Sequence, residues 1–320
     1  MAKDQRAGGT GRFELEPSGP YSLAASARFL EGFAPARYEG DGPDRLRLAF
    51  FADGLDRGER VAGAFVYPEG DKTVVETYGE ARSEAVRDQV RRILSLDTDG
   101  SGFPEVGVRD PVVGKLQERY PGLRPVLFYS PYEAAAWAII GSRIRIVQAA
   151  KIKVRMAEEL GSLVEVRGKK EYAFPGPSRL SSLGGFPGLS ERKVEYLRAV
   201  ARAALEGRLE APHLRSLPAE EALAELKVLP GIGEFSAELV LLRGAGVPDQ
   251  LPVHEPRLAR AVAMAYGLRE TPNAEELAEI SEGWRPYRTW VALHLRTMLE
   301  DETGEIAGGS RSSRSGTASA

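Results

Sequence analysis

The segment Leu226-Lys-Val-Leu-Pro230-Gly231-Ile232-Gly233-Glu234 carries the clearest chemical signal in the chain. A helix predicted to end at Val228 meets a Pro-Gly-Ile-Gly turn, and a second helix starts at once. The two glycines permit a tight backbone. The N–H groups that open the new helix then point outward, where the helix dipole also favours an anion. Such a turn could hold one phosphate. It is not a P-loop, because no Lys-Ser/Thr follows it and no strand precedes it. Taken alone, it fits a plain helix-to-helix connection with Gly as C-cap equally well. Among the acids downstream are Asp249 and Glu255.

Other chemistry is thinly represented. Asp97-Thr-Asp99-Gly-Ser-Gly102 resembles the start of a calcium loop, but its twelfth position is Val108 where a bidentate Glu is required. An acidic, helix-terminating turn is expected there instead. The chain has no cysteine, which excludes disulfides, thiolate nucleophiles, Cys-ligated zinc and cysteine-held iron-sulfur clusters. Its three histidines, His213, His254 and His294, lie too far apart for a local metal-ligand spacing.

The elements that must position these groups fall into two textures. The 320 residues are 42% hydrophobic and 28% charged, enough apolar content for a packed core and about two domains. The formal net charge is −3, which at first argues against a partner as acidic as nucleic acid. Residues 1–10 and 303–320 read as disordered tails. Residues 11–110 read as a small α+β domain. Its helices are expected at Ser22–Phe33 and at Ser83–Leu96, the latter capped by Ser83, and its strands at 45–50, 61–67 and 73–78. From residue 111 to 302 every apolar pattern has the helical period and strands effectively stop. Helices are expected at 112–119, 131–160, 190–206, 219–228, 234–243, 255–266, 273–281 and 286–299. No 18-residue apolar run and no basic-then-apolar leader occurs, so a soluble, cytoplasmic protein without membrane contact is expected.

Four ordered blocks add context: Ser130-Pro-Tyr-Glu-Ala-Ala-Ala-Trp137 through Gly141, the hairpin segment, Val240 through Glu255 with Arg260 beyond, and Trp284-Arg-Pro-Tyr287-Arg288-Thr-Trp290 through His294. Together they resemble the helix-hairpin-helix (HhH-GPD) DNA glycosylases, specifically the 3-methyladenine glycosylase II (AlkA-like) branch. The run Arg91-Arg-Ile-Leu-Ser-Leu-Asp97 looks like that branch's extra N-terminal domain. The fold class implied is an α+β domain followed by two helical subdomains flanking a cleft. The missing cysteines set aside the cluster-bearing endonuclease III and adenine-mismatch branches.

What the resemblance implies is a binder of double-stranded DNA that anchors one phosphate at Leu229, Gly231, Ile232 and Gly233, extrudes a damaged nucleotide and cuts its glycosidic bond. Glu255 stands where the family has a catalytic Asp, with Pro252 three residues before it and Arg260 five after, or else is a solvated acid favoured at a helix N-terminus. Asp249 precedes that Pro and is not assigned the chemistry. Phe235 occupies the position of the Schiff-base Lys of bifunctional relatives, so no lyase step is expected. It reads as a pocket wall, or equally as core. Trp137 and Arg296 complete the base pocket. Ser142 and Arg143 replace the family's Gln and Gln/Leu at the gap left by the flipped base, which an Arg can fill. Arg296 replaces a pocket Trp. A cation there would repel a positively charged base, unless this Arg simply faces outward. Trp284 and Arg288 are expected to be structural.

Charge distribution bears on the DNA reading. Residues 1–110 hold 15 basic and 20 acidic side chains, and residues 111–320 hold 28 and 26. Two runs carry cations and no acid: Gly141–Ala157, with Arg143, Arg145, Lys151, Lys153 and Arg155, and Trp284–Leu299, with Arg285, Arg288 and Arg296. Next to the hairpin, phosphate contact is the expectation for both. The leading expectation is a monofunctional glycosylase of base excision repair, with no cofactor and at most a monovalent cation at the hairpin carbonyls. It would act as a monomer, nucleoid-associated in a prokaryote. The alternatives are a catalytically weak or inactive binder of distorted duplex, and an unrelated helical protein whose hairpin binds a protein partner.

Overall fold

The computed structural model describes residues 10–32, 42–53 and 60–304. The tails expected at 1–10 and 303–320 lie almost wholly outside the described residues, although the last helix runs through Thr303. The N-terminal part contains β1 (Arg12–Leu15), α1 (Leu23–Gly32), β2 (Leu46–Phe51), β3 (Val61–Glu69), β4 (Lys72–Gly79) and α2 (Ser83–Ile93). The four strands form an antiparallel sheet in the order β1-β4-β3-β2. Strand alternation sends Leu46, Leu48, Phe50, Ala62, Ala64 and Val66 to one face, where Leu23, Ala27 and Leu30 of α1 and Val86, Val90 and Ile93 of α2 cover them. Ser83 does not cap α2. It is the first helical residue, and Arg82 holds the cap position without a side-chain bond.

The other face of this sheet corrects the expectation that strands stop after residue 111. β5 (Ser162–Val166) and β6 (Lys169–Ala173) form a hairpin that lies across it. Val164, Val166 and Ala173 pack on Ala49, Val61 and Phe65. Gly63 permits the approach, because a Cβ there would overlap Val166. At the hairpin tip Arg167 lies over the Phe65 and Tyr67 rings and is bound by both carboxylate oxygens of Glu76.

The remaining elements are α3 (Phe103–Arg109), α4 (Pro111–Arg119), α5 (Pro131–Gly141), α6 (Ile146–Leu160), α7 (Pro177–Ser181), α8 (Glu191–Leu205), α9 (Ala211–Ser216), α10 (Ala219–Lys227), α11 (Glu234–Glu238), α12 (Pro256–Tyr266), α13 (Ala274–Glu282) and α14 (Arg288–Thr303). They build two cores. One gathers α5, α6, α8, α10 and the chain after the hairpin turn, and the other gathers α3, α4, α12 and α14. Caps fix several starts: Ser130 for α5, Ser190 for α8, Asp110 for α4, and an Asn273–Glu276 capping box for α13.

Two expected helices are interrupted. The 131–160 helix breaks at residues 142–145, where Arg143 takes a left-handed φ of 56°. The 234–243 helix turns after α11 into a π-helical stretch, Leu239–Ala245, which ends at the left-handed Gly246. Its Gly244 lies against Pro131 and Ala134 of α5, close enough to leave no room for a Cβ. Among the described residues no helix is long and apolar enough to cross a membrane.

Candidate active site

At the hairpin, α10 ends at Lys227 and α11 begins at Glu234. Leu229 and Ile232 bury their side chains in the core beneath, and the Ile232 N–H donates to the Leu229 carbonyl at 3.1 Å. This anchoring leaves Pro230, Gly231 and Gly233 exposed at the tip. Gly231 has a φ of 86°, and a Cβ there would overlap the Tyr196 ring of α8, so only glycine fits. Gly233 is extended and has open space around it. The Glu234 carboxylate, which would repel a phosphate, is held by Lys227 Nζ at 2.9 Å.

Beside the hairpin helix lies a cavity of about 980 Å³. One wall is Trp137 of α5 with Phe235, Leu239 and Leu242. The opposite wall is Glu255, Arg257, Ala292 and Arg296 of α12 and α14, and Phe29 of α1 also lines it. The N-terminal part therefore contributes a wall of the cavity, which no sequence signal indicated. Among the aromatic lining residues, Phe235 is 44% exposed, whereas Trp137 is mostly buried. Ser142 also lines the cavity, and Arg143 is exposed beside it.

Glu255 is the N-cap of α12 and is 15% exposed. One carboxylate oxygen accepts from the Arg257 N–H at 3.2 Å. The other accepts a hydrogen bond from Arg296 Nη1. Arg296, 24% exposed, therefore does not face outward: it lines the cavity and is ion-paired to the carboxylate expected to do the chemistry. Burial pulls its pKa down, and the Glu255 charge opposes that shift. Behind the pair lies Arg243, whose pKa falls to about 9, first through burial and then through repulsion by Arg296. It donates to the Val126 carbonyl at 2.6 Å and lies over the Phe29 ring.

A second cavity carboxylate, Glu238, had not been singled out. It accepts from the His254 backbone N–H at 3.0 Å and pairs with His254 Nδ1 at 2.8 Å. Burial raises its pKa. It thereby fixes the residue next to Glu255. The available signal was a lone acid in the apolar run Ala237-Glu-Leu-Val-Leu.

The other candidate groups are accounted for by local contacts. Asp249 accepts from Arg288 and Arg285, both at 2.9 Å. The Trp284 indole N–H donates to Tyr266 Oη at 2.9 Å and, at 3.3 Å, to Asp110. Asp97 pairs with Arg215, and Asp99 accepts from the Ser101 N–H, closing the calcium-like turn on itself. His294 is buried against the Trp290 carbonyl, with its pKa pushed down to about 4 by burial. Among the described residues no three His, Asp or Glu side chains converge as metal ligands.

The basic runs divide differently from expectation. Arg285, Arg288 and Arg296 are all paired with carboxylates, so the second run offers no uncommitted cation to a phosphate. In the first, Lys153 turns inward to Glu133 at 3.3 Å and Arg155 pairs with Glu159. Arg143, Arg145 and Lys151 are exposed. Period and charge patterning cannot see these partners, because they come from elements distant in sequence.

No family model matches the chain. A DNA-3-methyladenine glycosylase of Bacillus subtilis is 26% identical over 222 residues, which cover 68% of this chain and 73% of that one. DNA-3-methyladenine glycosylase 2 of Escherichia coli is 31% identical over 189 residues, 57% of this chain and 63% of its own length. The solved structure of a 3-methyladenine DNA-glycosylase from Archaeoglobus fulgidus superposes with a TM-score of 0.74 at 27% identity, covering 92% of this chain and 99% of that one. Over two thirds of its sequence and nearly all of its fold, the chain is thus similar to 3-methyladenine DNA glycosylases, of the AlkA-like branch of the helix-hairpin-helix enzymes.

Proposed function

We propose that this protein is a monofunctional DNA glycosylase of base excision repair that hydrolyses the N-glycosidic bond of an alkylated or otherwise damaged base. The observation that carries the reading is Glu255. It is a carboxylate fixed at the N-cap of α12 and lining a cavity, large enough to admit a nucleotide, that opens beside the phosphate-binding hairpin. A phosphate of double-stranded DNA would sit on the N–H groups of Gly231 and Gly233, the Ile232 N–H being taken by the Leu229 carbonyl. Arg143 would fill the gap as the nucleotide swings out, and the base would enter between Trp137, Phe235 and Phe29. As the glycosidic bond lengthens, positive charge develops on the sugar. The Glu255 carboxylate stabilises that charge and orients water toward C1′. No lysine lines the cavity among the described residues, and position 235 is Phe, so no Schiff base forms and the abasic product is released uncut. This chemistry needs no cofactor, and one protomer carries all of it.

A second reading has its own support. Both oxygens of Glu255 are already engaged, by Arg296 and by the Arg257 N–H, which suits a weak or inactive protein that binds distorted duplex. Release of free base from lesion-bearing duplex separates the two. Wild-type release that Glu255→Gln abolishes supports the enzyme. Tight binding with no release from a panel of methylated and deaminated bases supports the binder.

A further inference from the structure

The break between α5 and α6 is held from outside itself. Its own bonds are short-range: the Ser142 N–H and hydroxyl both donate to the Ile139 carbonyl, at 3.3 and 2.9 Å. These do not account for Arg143 at φ 56°, a left-handed conformation that is strained for a non-glycine residue and persists only where the surroundings dictate it. The additional hold comes from α8. Lys193 Nζ donates to the Ile140 carbonyl and to the Ser142 carbonyl, both at 2.8 Å, so one ammonium clamps the last turn of α5 to the residue before Arg143. The side chain is partly buried, and burial alone pulls its pKa down. A partly desolvated lysine spent on two main-chain carbonyls is an expensive way to close a turn unless that turn must not move.

Three residues further along the same face of α8, Tyr196 lies against Gly231 of the hairpin, and Arg192 Nε donates to its hydroxyl at 2.5 Å. One helix face thus touches both loops that the proposed function brings to DNA. The geometry points to Lys193 as a positioning residue: it holds the Ser142–Arg143 turn at a fixed distance from the phosphate-binding hairpin, with α8 as the rigid spacer and Tyr196 as the contact at the other end. This inference rests on the reading of Arg143 as the gap-filling residue.

The test uses the full chain with Lys193→Met, which keeps the stem and removes the donor, and Lys193→Arg, which keeps it. The first readout requires no catalysis. A duplex carries a stable abasic-site analogue opposite 2-aminopurine, whose fluorescence reports whether the gap is filled. Wild type and Lys193→Arg should give the full fluorescence change on binding. Lys193→Met should bind within about 3-fold of wild type but lose most of that change, as should Arg143→Ala. In the second readout, single-turnover base release by Lys193→Met from duplex should slow by about 10-fold or more, while release of the same lesion from single-stranded DNA, where no gap needs filling, should stay within about 2-fold. Wild-type fluorescence and duplex release in Lys193→Met would overturn the proposal. So would a parallel loss of binding, single-strand release and thermal stability, which marks a purely structural lysine. If wild type shows the fluorescence change but releases no base, the catalytic reading fails and the positioning role stands or falls on the Lys193→Met fluorescence alone.

Discussion

Replacing Arg296 with Gln should change which bases the protein removes. The guanidinium is bound to one oxygen of Glu255, so a sugar carbon reached by that carboxylate lies roughly 6 Å from the cation. At an effective dielectric of about 20, two unit charges at that separation interact by about 3 kcal/mol, on the order of 100-fold in rate. A base that carries a full positive charge, such as 7-methylguanine, brings a unit charge into the cavity and meets a repulsion of this order on entry. A neutral base such as hypoxanthine feels only the fraction that develops on the sugar. Arg296→Gln should therefore raise 7-methylguanine release, measured at sub-saturating protein so that entry counts, by about 10- to 100-fold, and raise the 7-methylguanine to hypoxanthine ratio by about 10-fold or more. Gln is preferred to Ala because its amide can still donate to Glu255. Removing one partner of a buried pair outright costs about 3–5 kcal/mol, enough to confuse rate with folding. The assay is base release from two duplexes differing only at the lesion, with thermal denaturation alongside. An unchanged ratio in folded protein would refute the repulsion argument. Loss of both activities in folded protein would mean that Arg296 is needed to aim Glu255 and does not mask it.

Glu255→Gln should lower base release by about 100-fold or more while leaving abasic-duplex affinity within a few-fold, read by filter binding beside the release assay. Gly231→Ala should weaken duplex binding sharply, because it places a Cβ in the Tyr196 ring at a left-handed position; unchanged affinity would remove the hairpin from the interface. The Glu76 carboxylate, held by Arg167 at the tip of the β5–β6 hairpin, has its pKa lowered from 4.5 to about 2. A depressed acid contributes stability above its unfolded pKa and loses it as pH falls through the folded one. The thermal midpoint should therefore fall between about pH 4.5 and pH 2, and Glu76→Gln should flatten that limb of a melting-temperature titration.

The hairpin could be located from sequence because its signal is local: two glycines, a proline and the helices on either side lie within a dozen residues. Glu255 is singled out by the family resemblance, which its spacing from Pro252 and Arg260 supports. Side-chain pairing across the cavity was not accessible. Arg296 and Glu255 lie 41 residues apart, and Glu238 and His254 lie 16 apart, so neither period nor composition links them. The break in the 131–160 helix was hidden for a similar reason. No proline marks it, Gly141 alone is tolerated inside helices, and its brace, Lys193, comes from a different element. The β5–β6 strands were missed because β6 reads Lys-Lys-Glu-Tyr-Ala, with only its last residue fully buried. Its strand identity depends on β5 and on the sheet beneath.

That hairpin has a consequence for how the chain is made. The sheet of residues 12–79 is encoded first, but the side chains that cover Ala49, Val61 and Phe65 arrive only with residues 164–173. On a ribosome, where synthesis runs at about 5–20 residues per second, the finished sheet waits several seconds with one apolar face open. The N-terminal unit cannot mature as an independent first step. Its last layer is delivered from within the helical region, after α5 and α6 have emerged, and a fragment ending at residue 110 would keep that face uncovered.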